Sequence, residues 1–188
     1  QATRVFRAMA KTGMVLGTGF YKFGKWELGD LGSVVSFNDA EGVRLRLGVR
    51  TNRKLSERWQ LRAFAAYGTL DQAWKGGASA ILALPGARYN RLPNNQFKFS
   101  YEHDLHVPGF LPGAQEGTLL GSLQRGQTGR LLLTRTARAE YSKEWHNNLG
   151  ATLNCQRRTI EGAGQLFFEP DGSGAAAVTS SEVGGSLR

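Results

Sequence analysis

Residues 43–50 read Val43-Arg44-Leu45-Arg46-Leu47-Gly48-Val49-Arg50, in which apolar residues alternate with arginine or glycine. Successive side chains of a β-strand point to opposite faces of a sheet, so this stretch predicts a strand with an aliphatic face and an arginine face. In a small soluble sheet the aliphatic face would cover a core and the arginines would meet water. In a membrane barrel the aliphatic face would meet lipid and the arginines would line the lumen. What the chain does depends on which environment it occupies.

Length and composition favour a single all-β unit. The chain has 188 residues, enough for one domain with a sizeable core. It is 40% hydrophobic and 21% charged, too apolar for a disordered tail, and its 25 glycines beside 5 prolines favour turns and closely packed sheet over long helices. No run approaches the ~20 apolar residues of a membrane helix, and the first residues do not show the charged, apolar and small-residue pattern expected of a signal peptide. These observations do not exclude a β-barrel, because its membrane-spanning strands are short and only half of their residues are apolar.

The net charge of +9 raises nucleic acid as a partner. The basic residues, however, are spread through alternating runs and are not gathered in a tail, so nucleic acid is not expected. A lumen, or a surface toward anionic headgroups or lipopolysaccharide, fits this distribution as well. The lone Cys155 cannot form an internal disulfide, and its alternation with Leu149, Ala151 and Leu153 predicts a small buried or lipid-facing residue.

The same two-residue period recurs in segments of about ten residues, separated by clusters of Gly, Asn, Asp and Pro. This pattern predicts an antiparallel β-meander of about nine strands. The candidate strands are 12–23, 26–37, 43–51, 58–69, 73–84, 95–105, 130–145, 148–160 and a last one from near Thr179.

Aromatic residues frame the apolar side of the 58–69 segment. Trp59 and Tyr67 are eight residues apart, which is about 26 Å along a strand and about 20 Å of height at a tilt of ~40°. That height is near the ~25 Å apolar band of an outer-membrane barrel, so the two rings are candidates for its aromatic girdles. The alternative is that both rings edge a soluble core.

Two features suggest a piece of a larger barrel. Residues 107–129 form a long stretch rich in Gly, Pro and Gln, and long loops are usual on the outer side of bacterial barrels. The chain stops at Arg188 while still in the alternating pattern, and single-chain bacterial barrels have an even number of strands. We therefore expect residues 1–188 to be a single segment of an outer-membrane barrel.

Motifs that would carry chemistry are weak. Gly19 to Trp26 nearly match the spacing of a phosphate-binding loop, but Trp26 stands where a hydroxyl should ligate magnesium, and no helix pattern follows. Glu102, Asp104 and His106 would share a strand face and could hold a divalent ion, although polar side chains are also expected at a strand end that runs into a loop. We expect no catalytic, cofactor or metal site, and no enzyme activity.

The arginine stripe has two interpretations. A cationic lumen would attract anionic solutes, whereas ion pairs with residues such as Glu41, Glu140 and Glu182 would neutralise it. The lumen-facing candidates are Arg44, Arg46, Arg50, Arg62 and Arg138. The lipid-facing and girdle candidates are Val43, Leu45, Leu47, Val49, Trp59, Leu61 and Tyr67.

The stretch from Trp26 to Asn52 resembles a family of Bacteroidetes-type outer-membrane proteins whose recurring block reads ELGP…SFN…EGxRLRxGxRT. Downstream, 66–71 with 74–77 is similar to that family's AYGxxDxxxKYG turn, and 101–109 to its YxxDLxxPG strand end. Asp30 and Gly77 stand where the family pattern has Pro and Tyr. Its members are usually described as a carboxypeptidase-regulatory-like domain followed by a barrel of unassigned function. The resemblance implies an outer-membrane location and supplies no catalytic residues.

The leading hypothesis is therefore an all-β, antiparallel meander forming part of a transmembrane outer-membrane β-barrel, with a role in envelope transport, reception or surface assembly. Its expected partners are outer-membrane lipid, lipopolysaccharide and other envelope proteins. The alternative is a soluble antiparallel sheet that binds an anionic glycan or another polyanion through its arginine face.

Overall fold

The computed structural model describes residues 19–29, 34–89, 92–106, 130–145, 147, 149–164 and 177–188. Ten strands and no helix occur in these ranges. In the same ranges, no helix has the length and apolar character needed to cross a membrane. The strands are β1 Phe20–Phe23, β2 Trp26–Gly29, β3 Val35–Asn38, β4 Gly42–Thr51, β5 Trp59–Gly68, β6 Trp74–Ala83, β7 Asn95–His106, β8 Arg130–Glu144, β9 Gly150–Gly164 and β10 Ala177–Leu187.

All strands belong to one antiparallel sheet with the order β1-β2-β4-β5-β6-β7-β8-β9-β10, and β3 also pairs with β4. From β4 onward each strand hydrogen-bonds to the next one along the chain, which confirms the predicted all-β meander. The sheet is open, with β1 at one end of this order and β10 at the other.

The predicted strand 26–37 is wrong as a single element. β2 places Gly29 opposite Gly48, and β3 places Val35 opposite Leu45. Six residues of chain therefore span three residues of β4, so one continuous ladder is impossible and two short strands share the same edge. Of the predicted strand 12–23, only 19–23 is described. Residues 12–18 lie outside the described residues, as do the loops that the Gly- and Pro-containing stretches 107–129 and 169–174 predict.

A small apolar cluster lies at the end of the sheet where β6 runs into β7. Ala83, Ala87 and Tyr89 are buried there, with Ile81 packed against them. The cross-strand register puts Ile81 and Ala83 on the same face as the β4 arginines. The amide of Tyr89 donates to the carbonyl of Glu57 at 3.2 Å, and burial raises the pKa of the Tyr89 phenol above its usual range. This connection therefore folds over the arginine-bearing face.

Candidate functional site

The aliphatic face of β4 is open to its surroundings. Val43, Leu45, Leu47 and Val49 are 42%, 50%, 57% and 37% exposed. Leu61 of β5, on the same face, is 46% exposed. In a soluble sheet these side chains would be covered by a second layer, because exposed aliphatic surface is unfavourable in water.

Apolar residues of this face occur on every strand of the sheet. The cross-strand pairings put large hydrophobic residues from β1 to β10 on the side occupied by Leu45 and Leu47. A contiguous apolar surface of this extent marks a binding or membrane-contacting surface. Its exposed members include Tyr21, Phe23, Trp26, Leu28, Val35, Phe37, Trp74, Leu82, Phe99, Tyr101, Leu153 and Val183.

Aromatic residues on this face form rows near both ends of the strands. One row crosses five strands through Trp59, Leu82, Phe97, Tyr141 and Leu153. The other contains Tyr67 and Trp74, whose ring centroids are 5.1 Å apart. Trp59 and Tyr67 thus lie on one face, both half-buried. Their eight-residue separation puts the two rows about 26 Å apart along β5.

The opposite face of β4, which carries the arginines, is buried at Arg44 and Arg46. Arg44 and Arg46 are 0% and 2% exposed, although arginine is rarely fully buried. The charged side of β4 is therefore the enclosed side, and its aliphatic side is the open one. This inversion of the usual soluble pattern is the main feature of the site.

Arg44 is held by two carboxylates. Its Nη2 donates to Oδ2 of Asp104 at 2.8 Å and its Nη1 lies 2.7 Å from Oδ1, a side-on pair. Nη1 also donates to Oε1 of Glu41 at 2.9 Å. Both carboxylates are buried, so the guanidinium charge is compensated where solvent cannot screen it.

The Arg44–Asp104 pair also constrains the shape of the sheet. Arg44 is on β4 and Asp104 is on β7, with β5 and β6 between them. Three strand spacings amount to about 14 Å in a flat sheet, farther than these two side chains reach together. The sheet must therefore curl toward its arginine face at this end of the strands.

Lys75 of β6 extends the cluster. Its ammonium lies 2.9 Å from Oε1 of Glu41 and also pairs with Asp71 in the β5–β6 turn. Lys75 is buried. Arg44, Lys75, Glu41, Asp71 and Asp104 therefore alternate in charge, and we call these five residues the ionic cluster.

Local sequence positions the cluster. Asn38 is the last residue of β3. Its side chain accepts a hydrogen bond from the backbone amide of Glu41 at 2.8 Å and donates one to the Glu41 carboxylate at 2.7 Å, which fixes Glu41 in the β3–β4 turn. Gly68 lies opposite Arg44 on β5, and a Cβ there would overlap the carboxylate of Asp71 and lie 2.9 Å from Cβ of Glu41. Because Gly68 has no side chain, Asp71 and Glu41 of the ionic cluster can occupy the space beside it.

Other arginines of the stripe contact aromatic rings and a carboxylate. The guanidinium of Arg46 lies 3.9 Å from the centre of the Phe64 ring, and that of Arg50 lies 3.5 Å from the centre of the Phe20 ring. Arg50 also donates to Glu27 at 2.7 Å. Arg50 is thus paired with a carboxylate and an aromatic ring, and Arg46 contacts an aromatic ring of the neighbouring strand.

The two remaining lumen-facing candidates share this face through the register. Arg62 lies opposite Arg50, with its guanidinium 5.9 Å from the Phe20 ring centre. The guanidinium of Arg138 forms an ion pair with the carboxylate of Glu140, with a nitrogen–oxygen distance of 2.6 Å. The expected pairs of arginine with Glu41 and Glu140 therefore occur, but Glu182 accepts from Gln156 at 2.6 Å.

Sequence reasoning missed the partners that come from other strands. Asp104 is a metal-ligand candidate by spacing, yet its carboxylate is occupied by Arg44. Lys75 and Glu27 carry no local signal of their roles. Only the cross-strand register, which brings Lys75 beside Ala66 and Glu27 beside Arg50, could have identified them.

The weak chemical motifs have ordinary structural roles. The segment that resembles a phosphate-binding loop is the β1–β2 hairpin, where Gly24 takes a φ of 58° that favours glycine in the turn. His106 and Glu102 are 3.8 Å apart on β7. Within the described ranges, no group of three or more acidic, histidine or cysteine side chains could hold a metal.

A groove of about 860 Å³ crosses the apolar face. It follows two neighbouring cross-strand rows, between Val49 on β4 and Val183 on β10. Alanines flank Tyr101 and Phe99 of β7 in these rows, so small side chains line much of the groove. Its alanines are Ala63, Ala78, Ala80, Ala137 and Ala139.

Comparison with known proteins gives no match for this chain among family models, curated proteins or solved structures.

Proposed function

We propose that this chain forms part of the wall of an integral outer-membrane β-barrel, a non-enzymatic protein of envelope transport, reception or surface assembly. One observation carries the proposal: on β4 the aliphatic residues are exposed while Arg44 and Arg46 are buried. Lipid contact makes the exposed face favourable, and an enclosed lumen accounts for the buried one. The resemblance of 26–52 to Bacteroidetes-type outer-membrane proteins agrees with this proposal.

The curl at the ionic cluster supports the same function. A barrel wall must bend toward its lumen, and the Arg44–Asp104 pair requires a bend toward the arginine face. The open edges of the sheet, β1 and β10, would pair with further strands to close the wall.

The connections suggest an orientation. The two longest connections between these strands, 107–129 and 165–176, are at the end that holds the ionic cluster, as is the short turn 69–73, whereas 52–58, 84–94 and 145–149 join strands at the other end. Bacterial barrels place their longer loops outside the cell and their short turns in the periplasm. The cluster would therefore lie near the outer mouth of the barrel.

A soluble sheet that binds a polyanion through its arginine face is less well supported. Such binding needs accessible guanidinium groups, but Arg44 and Arg46 are buried, and Arg44 already holds two carboxylates. That alternative also leaves the aliphatic face of β4 in water.

Cys155 provides the test. It is the only cysteine of the chain, it is exposed, and the register puts it on the apolar face opposite Ala139 and Val183. A nitroxide attached to Cys155 in lipid vesicles should collide mainly with dissolved oxygen, which concentrates in the bilayer. It should collide little with a water-soluble nickel chelate.

The matched control moves the label by one residue. In a Cys155→Ser, Gln156→Cys variant the label faces the opposite side, and its nickel accessibility should exceed that of the label at 155. Equal nickel accessibility at both positions, or a folded protein that stays in solution without detergent, would overturn the proposal.

A further inference from the structure

The apolar face is uniform on β4–β7 and changes character on β8–β10. Arg135 and Arg157, both exposed, stand on that face among the alanines and aliphatics. An arginine that faces lipid is unfavourable in the hydrocarbon core and much less so near the membrane interfaces, where lipid phosphates lie. Two arginines on this face therefore call for an anionic partner at an interface.

The register brings the two arginines together. Arg135 on β8 lies opposite Thr159, and Arg157 on β9 lies opposite Ala137, so the two arginines are diagonal neighbours. Diagonal neighbours have Cβ atoms about 7–8 Å apart, close enough for both guanidinium groups to bind one phosphate. Hydroxyl donors surround them, because Thr159 lies opposite Thr179 and Arg157 opposite Ser181.

Protein groups leave these arginines largely available. Glu161 lies 3.8 Å from Arg135, longer than a hydrogen bond, and the Arg135 side chain is 52% exposed. Within the described residues the side chain of Arg157 makes no ion pair or hydrogen bond. His103, opposite Arg135 on β7, is the other titratable side chain in this row.

Arg157 also lines the groove of the apolar face, together with Ser181. From Arg157 the groove runs toward β4 over Ala137, Tyr101 and Ala78 to Val49. Of the two arginines only Arg157 lines the groove, so this end offers one cation and the Ser181 hydroxyl, with Arg135 beside it on β8. Toward β4, the side chains that this face contributes to the groove are alanine, aliphatic and aromatic. This gradient matches a molecule with a phosphate at one end and an acyl chain behind it.

We infer that Arg135, Arg157 and the groove form a binding site for a phosphate-bearing lipid of the surrounding membrane, with the phosphate on the arginines and an acyl chain in the groove. The inference rests on the proposed function, because only a lipid-facing groove meets such a ligand. Guanidinium groups bind phosphate in a bidentate manner that suits this geometry.

Native mass spectrometry of the detergent-purified chain tests the site. Phosphatidylglycerol should be retained about tenfold more strongly than phosphatidylcholine with the same acyl chains, a gain expected of one or two charge-assisted hydrogen bonds. Arg157→Gln and Arg135→Gln should each reduce the retention of phosphatidylglycerol toward that of phosphatidylcholine. Arg88→Gln is the matched control, because it removes an exposed arginine outside the groove, and it should keep the preference. Equal retention of the two lipids, or a preference that Arg88→Gln also removes, would overturn the inference.

Two further arms separate the phosphate from the acyl chain. Glycerol phosphate, which has the headgroup chemistry without tails, should not be retained, and retention as strong as that of phosphatidylglycerol would refute a role for the groove. A bulky maleimide coupled to Cys155 after folding should block lipid retention, and a Cys155→Ser protein should be insensitive to the reagent. Lipid retention unchanged by the maleimide would contradict the site. If these lipid-retention tests fail while the nitroxide at Cys155 reports contact with lipid, the lipid site is wrong and the proposed function stands.

Discussion

Arg44 on β4 and Asp104 on β7 form a buried side-on ion pair, with nitrogen–oxygen distances of 2.7 and 2.8 Å, although two strands lie between theirs. The pair joins residues sixty positions apart in the chain. It therefore links the curvature of the sheet to a single buried contact, and its removal should affect both stability and shape.

Replacing Arg44 by Met should destabilise the folded chain by about 3–5 kcal/mol, because it leaves the buried Asp104 carboxylate without its cation and leaves Glu41 with Lys75 alone. Asp104→Asn should cost less, since Arg44 keeps Glu41. The free energy of unfolding by urea in detergent measures both effects. Disrupting the exposed Arg88–Glu57 pair with Arg88→Gln is the control and should cost less than about 1 kcal/mol. Equal losses for Arg44→Met and Arg88→Gln would show that the cluster is not a stabilising contact.

Gly68→Ala should strongly lower the stability of the fold, because the new Cβ would overlap Asp71 and crowd Glu41 within the ionic cluster. Gly150→Ala is the matched control, since the nearest atom to a Cβ there is 3.8 Å away. Thermal unfolding of the two variants makes the comparison. If Gly68→Ala melts like the parent chain, the space at position 68 is not required.

Leu47→Arg distinguishes a lipid-facing surface from a solvent-facing one. In a bilayer the charge should reduce stability by about 2–4 kcal/mol if Leu47 lies near the midplane. On a soluble surface the same exposed position should tolerate the change within about 0.5 kcal/mol. Leu70→Arg, in the β5–β6 turn and 65% exposed, is the control and should be neutral in either case. Unfolding measurements in lipid vesicles decide the matter, and a neutral Leu47→Arg would count against lipid contact.

Tyr89 should ionise only above the ordinary tyrosine pKa of 10.0, because burial disfavours the phenolate. A folded-state pKa above the unfolded one means that this contribution to stability is complete below the unfolded pKa and is lost as pH rises through the folded pKa. Ultraviolet titration at alkaline pH, compared with a Tyr89→Phe variant, isolates its transition. A phenol that titrates at its ordinary value would show that the β6–β7 connection does not cover it.

Sequence alone determined most of the strands and the two faces of each. The backbone fixes the period of two, so the alternation of Val43, Leu45, Leu47 and Val49 with arginine establishes two chemically distinct faces wherever the strand is placed. It also put Trp59 and Tyr67 on one face at a fixed separation. These features are local, because they depend only on the residues within one strand.

The tertiary structure decided which residues meet. That Arg44 binds Asp104 and that Arg135 lies diagonal to Arg157 follow from strand register, which depends on hydrogen bonds between segments distant in the chain. Register also divided 26–37 into two strands, because six residues had to span three of β4. The choice of which face is enclosed came from the curl of the sheet, a property that no single strand encodes.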